Sequence, residues 1–156
     1  MFAGVDLGCN AGVSVLDKDG SRLYSDTWKL GKRSPSSLYQ FQQKLYDTFS
    51  KHCVEYVGYE LVTQEHRSRV AAVVYGSFEG ILWSVCFDLN VPAMGVHVQT
   101  LKKFMNIGPR PEKEDIEAAA MVKWHIVPSD DNEADSLFIA DYTRKMVAEQ
   151  GWENNK

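Results

Sequence analysis

The sequence predicts an α/β fold in which helices flank a five-stranded mixed sheet. Three short apolar or alternating segments, joined by turn signals, occupy the first 29 residues and predict an antiparallel meander. Helical and strand periodicities then alternate along the chain, which predicts βαβ units with parallel strands. A meander that continues into such units gives one sheet with both kinds of pairing and with helices on both faces.

The meander begins with a buried strand at residues 2–8, whose only acidic residue is Asp6. Alternating apolar residues at 12–16 predict the second strand. The segment Asp17-Lys-Asp-Gly20 is a hairpin turn signal, so residues 21–29 are predicted to return as the third strand.

A crossover helix is predicted to connect the meander to the rest of the sheet. Ser34 and Pro35 are typical of a helix start, and apolar residues at helical spacing extend this helix to residue 52. Residues 54–60 follow as a fourth strand, which the crossover makes parallel to the first. Glu60, at the end of this strand, is therefore expected to lie beside Asp6.

Five further elements complete the predicted fold. A long helix at 65–88 has apolar residues along one side and two glycines as points of close approach, which are Val70, Val73, Val74, Ile81, Leu82, Val85, Gly76 and Gly80. A fifth strand is expected at 95–98, and Thr100 is expected to cap a short helix that ends near residue 106. Two more helices are predicted at 112–125 and at about 131–149.

Composition and charge are typical of a soluble globular protein. The 156 residues are 44% hydrophobic, which suffices for one domain over 1–150 with a polar tail at 151–156. Neither a membrane span nor a signal peptide is predicted. Three cysteines without a Cys-x-x-Cys motif favour reduced thiols in the cytoplasm and argue against zinc. The net charge of −4 argues against a nucleic-acid partner, but part of it would belong to an acidic cluster that binds cations.

Four acidic residues are candidates for one metal site. Asp6 lies within an apolar strand and Glu60 ends another, while Asp131 and Asp135 share one face at the start of the last helix because they are four residues apart. A buried carboxylate is costly unless it is paired, and magnesium prefers carboxylate oxygens. Four such groups close together require cations, and two divalent ions about 3.5–4 Å apart are typical of phosphoryl transfer.

The order and spacing of four motifs carry a family resemblance. Gly4-Val-Asp-Leu-Gly8 and Tyr59-Glu60 supply two acids at strand ends, and Glu133-Ala-Asp-Ser136 supplies a third on the last helix. The segment from Leu101-Lys-Lys-Phe104 to Lys113 is rich in lysine. In these motifs the chain resembles the RuvC-type Holliday junction resolvases of the RNase H-like superfamily, in the compact form found in phages and prophages.

The resemblance implies an RNase H-like fold and a crossover junction endodeoxyribonuclease of DNA recombination and repair. Such an enzyme is a homodimer that cuts a four-way DNA junction symmetrically by hydrolysing phosphodiesters. It would act in the cytoplasm of a bacterium or of a phage-infected host cell. The resemblance also implies two Mg²⁺ ions per site, with Mn²⁺ as a substitute.

Residue roles follow from the same resemblance. Asp6, Glu60 and Asp135 become metal ligands and catalytic residues. The family's last two acids are three residues apart, so the fourth position is either Asn132, through its amide oxygen, or Asp131, which its charge favours. DNA-phosphate contacts are implied for Lys102, Lys103, Arg110 and Lys113.

The sequence also departs from the family. Thr63 occupies a position at which some relatives have an aromatic residue that probes the junction's bases. His66 and Arg67 are candidates for phosphate contact or for an ordinary surface role. The long helix is the expected dimer interface, since it has apolar positions beyond one stripe, including Val74, Phe78, Ile81 and Trp83.

Other functions remain open at this stage. One alternative is a nuclease of the same fold that acts on other branched DNA or on RNA/DNA hybrids. A second is a junction-binding module without activity. A third is half of a sugar-kinase or actin-like ATPase. The length of the chain argues against this alternative, because it is too short for the two lobes of such a protein.

Overall fold

The computed structural model describes residues 1–62, 68–108 and 111–151. Its elements follow the predicted order along the chain. They are β1 (Phe2–Asp6), β2 (Asn10–Leu16), β3 (Arg22–Lys29), α1 (Pro35–Lys51), β4 (Tyr56–Leu61), α2 (Arg69–Asp88), β5 (Ala93–His97), α3 (Val98–Met105), α4 (Lys113–Trp124) and α5 (Asp131–Gln150).

The five strands form one mixed sheet in the order β3-β2-β1-β4-β5. β1 pairs antiparallel with β2, and β2 pairs antiparallel with β3. β1 and β4 are parallel, as are β4 and β5. The predicted meander, crossover and mixed sheet are therefore confirmed, and β1 and β4 are adjacent as expected.

Helices cover both faces of the sheet. α1 and α2 pack on one face, where Phe41 and Phe78 meet edge to face with ring centroids 5.1 Å apart. α3, α4 and α5 enclose a second apolar cluster on the other face. The central strands of the sheet are thus covered by helices on both faces.

Local signals locate the helix starts with one exception. Ser34 caps α1 by accepting a hydrogen bond from the Ser37 amide at 3.1 Å. The prediction that Thr100 caps the short helix was wrong, because α3 continues directly from β5 and already begins at Val98 after His97. The predicted positions 65–67 of the long helix lie outside the described residues, and Ser68 caps α2.

The core-facing side of α2 matches the predicted one in part, because Leu82 and Val85 are buried and Val74 and Ile81 pack against the core. Val70 and Val73 are 74% and 49% exposed, while the buried side consists of Tyr75, Phe78, Leu82, Val85 and Cys86. Apolar residues surround most of this helix, so their spacing alone does not define the side that packs. Phe78 is fully buried against α1 and is therefore excluded from the interface that the sequence assigned to it.

The same apolar character gives α2 the length and composition of a membrane span. It has 20 residues, and an 18-residue stretch within it has a mean hydropathy of 1.6, so the prediction of no candidate span overlooked this helix. Its buried side is nevertheless part of the core between the sheet and α1.

α5 lies close against the sheet because glycines leave room for it. A β-carbon at Gly12 would overlap the carbonyl group of Asn132, and one at Gly4 would overlap backbone atoms of Ser136 and Ala140. Only a residue without a side chain permits this approach of helix to strand. The first turns of α5 are thereby held over β1 and β2.

Candidate active site

Asp6 and Glu60 lie side by side at the carboxyl ends of β1 and β4. The two strands pair in parallel with Val5 opposite Tyr59, so Asp6 and Glu60 are the next residues in the same register. Side chains alternate between the faces of a strand, and Gly4 and Gly58, two residues earlier, both face α5. Asp6 and Glu60 are therefore directed to the face on which α5 lies.

A hydrogen bond from α2, on the face of the sheet opposite α5, also fixes the end of β4. The hydroxyl of Tyr75 on α2 donates a hydrogen bond to the backbone carbonyl of Glu60 at 2.7 Å. Burial and the nearby Glu79 carboxylate raise the pKa of Tyr75, so the hydroxyl stays protonated and remains a donor. This bond fixes the backbone from which the Glu60 carboxylate extends.

Side chains of β3 anchor the start of α5. Thr27 donates to Asp130 at 2.5 Å, and Asp130 caps the helix by accepting from the amide of Glu133 at 3.1 Å. Ser25 donates to the buried carboxylate of Glu133 at 2.5 Å. These contacts, together with the approach at Gly12, fix the turn of α5 that presents Asp131 and Asp135.

Sequence reasoning missed these anchors, although a signal for them exists. Ser25 and Thr27 are two residues apart in a strand, which places both hydroxyls on one face. In combination with an acid-rich helix start, that pattern indicates hydroxyl–carboxylate contacts between the two elements.

Asp135 is a buried carboxyl group close to other acids. Burial raises its pKa to about 7, and the charges of Glu60 and then Asp131 contribute in the same direction. Lys102 and Lys113 oppose the shift. Glu60 and Asp131 are therefore both near enough to Asp135 for their charges to act on it.

Asp131 and Asn132 have different surroundings. Asp131 forms an ion pair with Lys113 at 2.5 Å, next to Asp135. Burial alone would raise the pKa of Asp130, but hydrogen bonds from Thr27, from the Glu133 backbone and from Asn132 hold it below its ordinary value. The Asn132 side chain thus acts on Asp130, whereas Asp131 acts on Asp135.

The acids suit a divalent cation in chemistry, although they do not form a closed metal site. Within residues 1–62, 68–108 and 111–151, no three His, Cys, Asp or Glu side chains are arranged to hold a metal ion. Burial is the main cause of the raised pKa of Asp135, and repulsion by the charges of Glu60 and Asp131 adds to it. A cation would relieve that repulsion, so the donor set fits one.

Comparison with known proteins identifies the fold. No protein-family model and no curated protein matches the sequence. Thermus thermophilus RuvC, solved in complex with a Holliday junction substrate, superposes with a TM-score of 0.74 and 18% identity, and the match covers 88% of each chain. This chain has the fold of the RuvC resolvases.

Two further resolvases superpose less closely on the chain. The yeast mitochondrial Holliday junction resolvase has a TM-score of 0.59 and 16% identity, covering 94% of this chain and 78% of its own. The fowlpox virus resolvase, solved with Holliday junction DNA, has a TM-score of 0.57 and 11% identity, covering 93% and 99%. The predicted resemblance to RuvC and the RNase H-like fold class are confirmed.

In this RuvC fold, basic residues border the acids on the side of α3 and α4. Lys102 and Lys103 are exposed in the last turn of α3, and Lys113 begins α4. The charges of Lys102 and Lys113 act on Asp135, which places both near the cluster. Arg110, for which a phosphate contact was predicted, lies outside the described residues, as do Thr63, His66 and Arg67.

Asp135→Asn is expected to stabilise the metal-free protein at pH 8 and to change little at pH 4.5. The folded protein binds more protons than the unfolded chain between the ordinary Asp pKa of 3.8 and about 7, so ionised Asp135 lowers stability as pH rises through this window. We expect a gain of about 2–4 kcal/mol at pH 8. Urea unfolding in a chelator measures it.

Asp47→Asn provides the control for that measurement. Asp47 is exposed on α1, so the same chemical change should leave the free energy of unfolding unchanged at both pH values. If Asp135→Asn changed the free energy of unfolding by the same amount at pH 4.5 and at pH 8, the raised pKa of Asp135 would be contradicted.

Proposed function

We propose that this protein is a divalent-metal-dependent endonuclease that resolves four-way DNA junctions. The observation that carries the proposal is the set of acids on one face of the fold. Asp6 and Glu60 end two adjacent parallel strands, and α5 presents Asp131 and Asp135 over the same face. The similarity in fold to three resolvases, two of them solved with junction DNA, supports four-way junctions as the substrate.

Asp6, Glu60, Asp135 and Asp131 are the residues that would hold Mg²⁺. The cations would lower the pKa of an attacking water and stabilise charge on the leaving 3′-oxygen. The protein contributes the positions of the carboxylates, through β1, β4 and the anchored start of α5. It also keeps Asp135 in a buried setting, where charge interactions are strong.

Lys113 has a second role in this proposal. Its ion pair with Asp131 is 71% exposed on the lysine side, so the pair contributes little free energy and is easily exchanged. A DNA phosphate that reaches the acids can replace Asp131 as the ion-pair partner of Lys113. Asp131 is then available as a metal ligand. Lys102 and Lys103 would contact neighbouring phosphates.

Cleavage of a synthetic four-way junction tests the proposal. The purified protein should cut the junction into two nicked duplexes with Mg²⁺ and should leave it intact with a chelator. A linear duplex, a flap and an RNA/DNA hybrid of matched length should be cut more slowly. Preferred cleavage of the flap or the hybrid would replace this function by another nuclease activity, and binding without any cleavage would indicate a junction-binding module.

Asp131 rather than Asn132 is expected to be the fourth ligand. Asp131 lies with Asp135 in the cluster, whereas the Asn132 side chain interacts with Asp130. We therefore expect Asp131→Asn to slow single-turnover cleavage more than tenfold and to raise the Mg²⁺ concentration for half-maximal rate. Asn132→Ala should change both values little. The reverse ranking would assign the ligand to Asn132, and mild effects from both would leave three acids as the set.

We also propose a homodimer that forms through the outer face of α2. Val70, Val73, Trp83 and Phe87 expose apolar side chains on this helix, with Phe87 85% exposed. Gly76 and Gly80 have no atom within 4 Å of the position of an added β-carbon, so the described part of the chain leaves this face open. One self-complementary patch suffices for a two-fold dimer, which would supply two active sites for the two symmetric cuts.

Gly80→Glu is expected to convert the dimer to a folded monomer. The monomer has room for the side chain, but the dimer would bury its unpaired charge. Sedimentation at micromolar concentration measures the change, and the variant should nick junctions without coordinated double cutting. Gln43→Glu, an exposed change on α1, is the control. A wild-type protein that stays monomeric, both free and on junction DNA, would contradict the proposal.

A further inference from the structure

We propose that a second basic surface, on the β3 side of the acids, binds the DNA backbone. This surface, the basic edge loop, consists of Lys29, Lys32 and Arg33. The inference rests on the proposed function, because it names where that substrate's backbone continues beyond the acids. It concerns residues for which neither the sequence motifs nor the family resemblance suggested a role.

The topology brings the basic edge loop to the end of the sheet at which β1 and β4 end, where the acids lie. β1 ends at Asp6, and β3 ends at the same edge because both pair with β2 in antiparallel fashion. Lys29 is paired with Asn10, and the amide of Leu30 donates to the carbonyl of Cys9 at 2.9 Å. The loop therefore lies against the turn that follows Asp6.

Strand alternation places Lys29 on the same face as the acids. Ser25 and Thr27 contact Glu133 and Asp130 on α5, so Lys29, two residues after Thr27, is on the α5 face as well. Two strand spacings and two residue rises separate it from Asp6, which corresponds to about 12 Å between α-carbons. At a rise of about 3.4 Å per nucleotide along the axis of a duplex, this corresponds to roughly three to four nucleotides.

The charge of the loop has no partner in the part of the chain that the structure describes. Lys29, Lys32 and Arg33 are all exposed, and none forms an ion pair with a described carboxylate. The first turn of α1, which follows the loop, contains no acidic residue. Lys18, Lys113 and Lys123, in contrast, each lie within ion-pair distance of an acid. Three uncompensated cations at this position suit an anionic ligand with repeated charges.

The basic edge loop and the α3–α4 lysines border the acids from opposite sides. β3 is one edge of the sheet, while α3 follows β5 at the other edge. A strand whose scissile phosphate sits at Asp6 and Glu60 would meet Lys102 or Lys113 on one side and Lys29 on the other. Two contacts on opposite sides of the acids would fix the path of the DNA backbone across the active site. A single basic group would not fix this path.

A charge-matched pair of double variants tests this inference. Lys29→Gln with Lys32→Gln removes two charges from the loop. Lys18→Gln with Lys51→Gln removes two exposed charges at the opposite end of the strands, where β2 ends and β3 begins. Binding of a four-way junction and of linear duplex DNA is measured in a chelator at several salt concentrations. For the loop variant, the slope of the logarithm of the binding constant against the logarithm of the salt concentration should be smaller in magnitude than for wild type by about 1.8. This corresponds to about 0.9 for each lost phosphate contact.

Neutral phosphate analogues locate the contact. A methylphosphonate about three nucleotides from the cleaved bond should weaken binding by the wild-type protein and by the control variant, and should have no further effect on the loop variant. Equal slopes for the two double variants, or a methylphosphonate effect that persists in the loop variant, would overturn the inference. If wild type binds duplex with this loop dependence but cuts no junction, the proposed function fails and the DNA-binding surface stands.

Discussion

Asp6→Asn should abolish junction cleavage while the protein still binds the junction. Asp6 ends the central strand of the acidic face, beside Glu60 and under the start of α5. The amide keeps the shape of the side chain but removes the charge that a cation needs. We expect single-turnover cleavage to fall by at least about a thousandfold, which corresponds to roughly 4 kcal/mol on the activation barrier.

Binding should move in the opposite direction from cleavage. One negative charge fewer beside the phosphates reduces repulsion, so junction affinity in a chelator should be equal to or tighter than that of wild type. Asp47→Asn on α1 is the matched control and should leave both properties unchanged. Turnover by the Asp6 variant within about tenfold of wild type, or about 1.4 kcal/mol, would remove Asp6 from the site.

Gly4→Ala should strongly destabilise the fold. Its β-carbon would overlap the carbonyl oxygen of Ser136 and the amide of Ala140, and backbone atoms cannot rotate away as a side chain can. Either β1 or α5 must move. We expect a loss of roughly 3–5 kcal/mol, at the upper end of the effects of single substitutions. Urea unfolding midpoints, compared at unchanged slope, give the value.

Gly76→Ala is the matched control for that measurement. It adds the same methyl group to a helix position that has no described atom within 4 Å of the new carbon. Alanine favours a helix over glycine, so this variant should gain about 0.5–1 kcal/mol. Equal midpoints for the Gly4 and Gly76 variants would contradict the close packing of α5 on β1.

The backbone path of the site could be predicted because it follows from chain order. A strand, a crossover helix and a second strand place Glu60 next to Asp6, and four-residue spacing places Asp131 and Asp135 on one helix face. The structure has the strands and the helix where the sequence put them. These inferences depend on periodicity and connectivity, which are properties of the chain itself.

The contacts that orient the site could not be predicted in the same way. The hydroxyls of Ser25 and Thr27 meet α5 only because glycines let that helix approach the sheet. The buried side of α2 was assigned incorrectly at Val70 and Val73, since an all-round apolar helix carries no periodic signal for one face. Such features depend on which elements meet in three dimensions.

The outer face of α2 also gives this protein an intrinsic fluorescent probe. Trp83 is half-exposed there, and its indole N–H donates to the hydroxyl of Tyr59 at 3.1 Å, one residue before Glu60. Of the three tryptophans that the structure describes, Trp28 and Trp124 are buried. Among these three tryptophans, acrylamide therefore quenches mainly the fluorescence of Trp83. A decrease in this quenching at higher protein concentration would show, without any label, that a second molecule covers the outer face of α2.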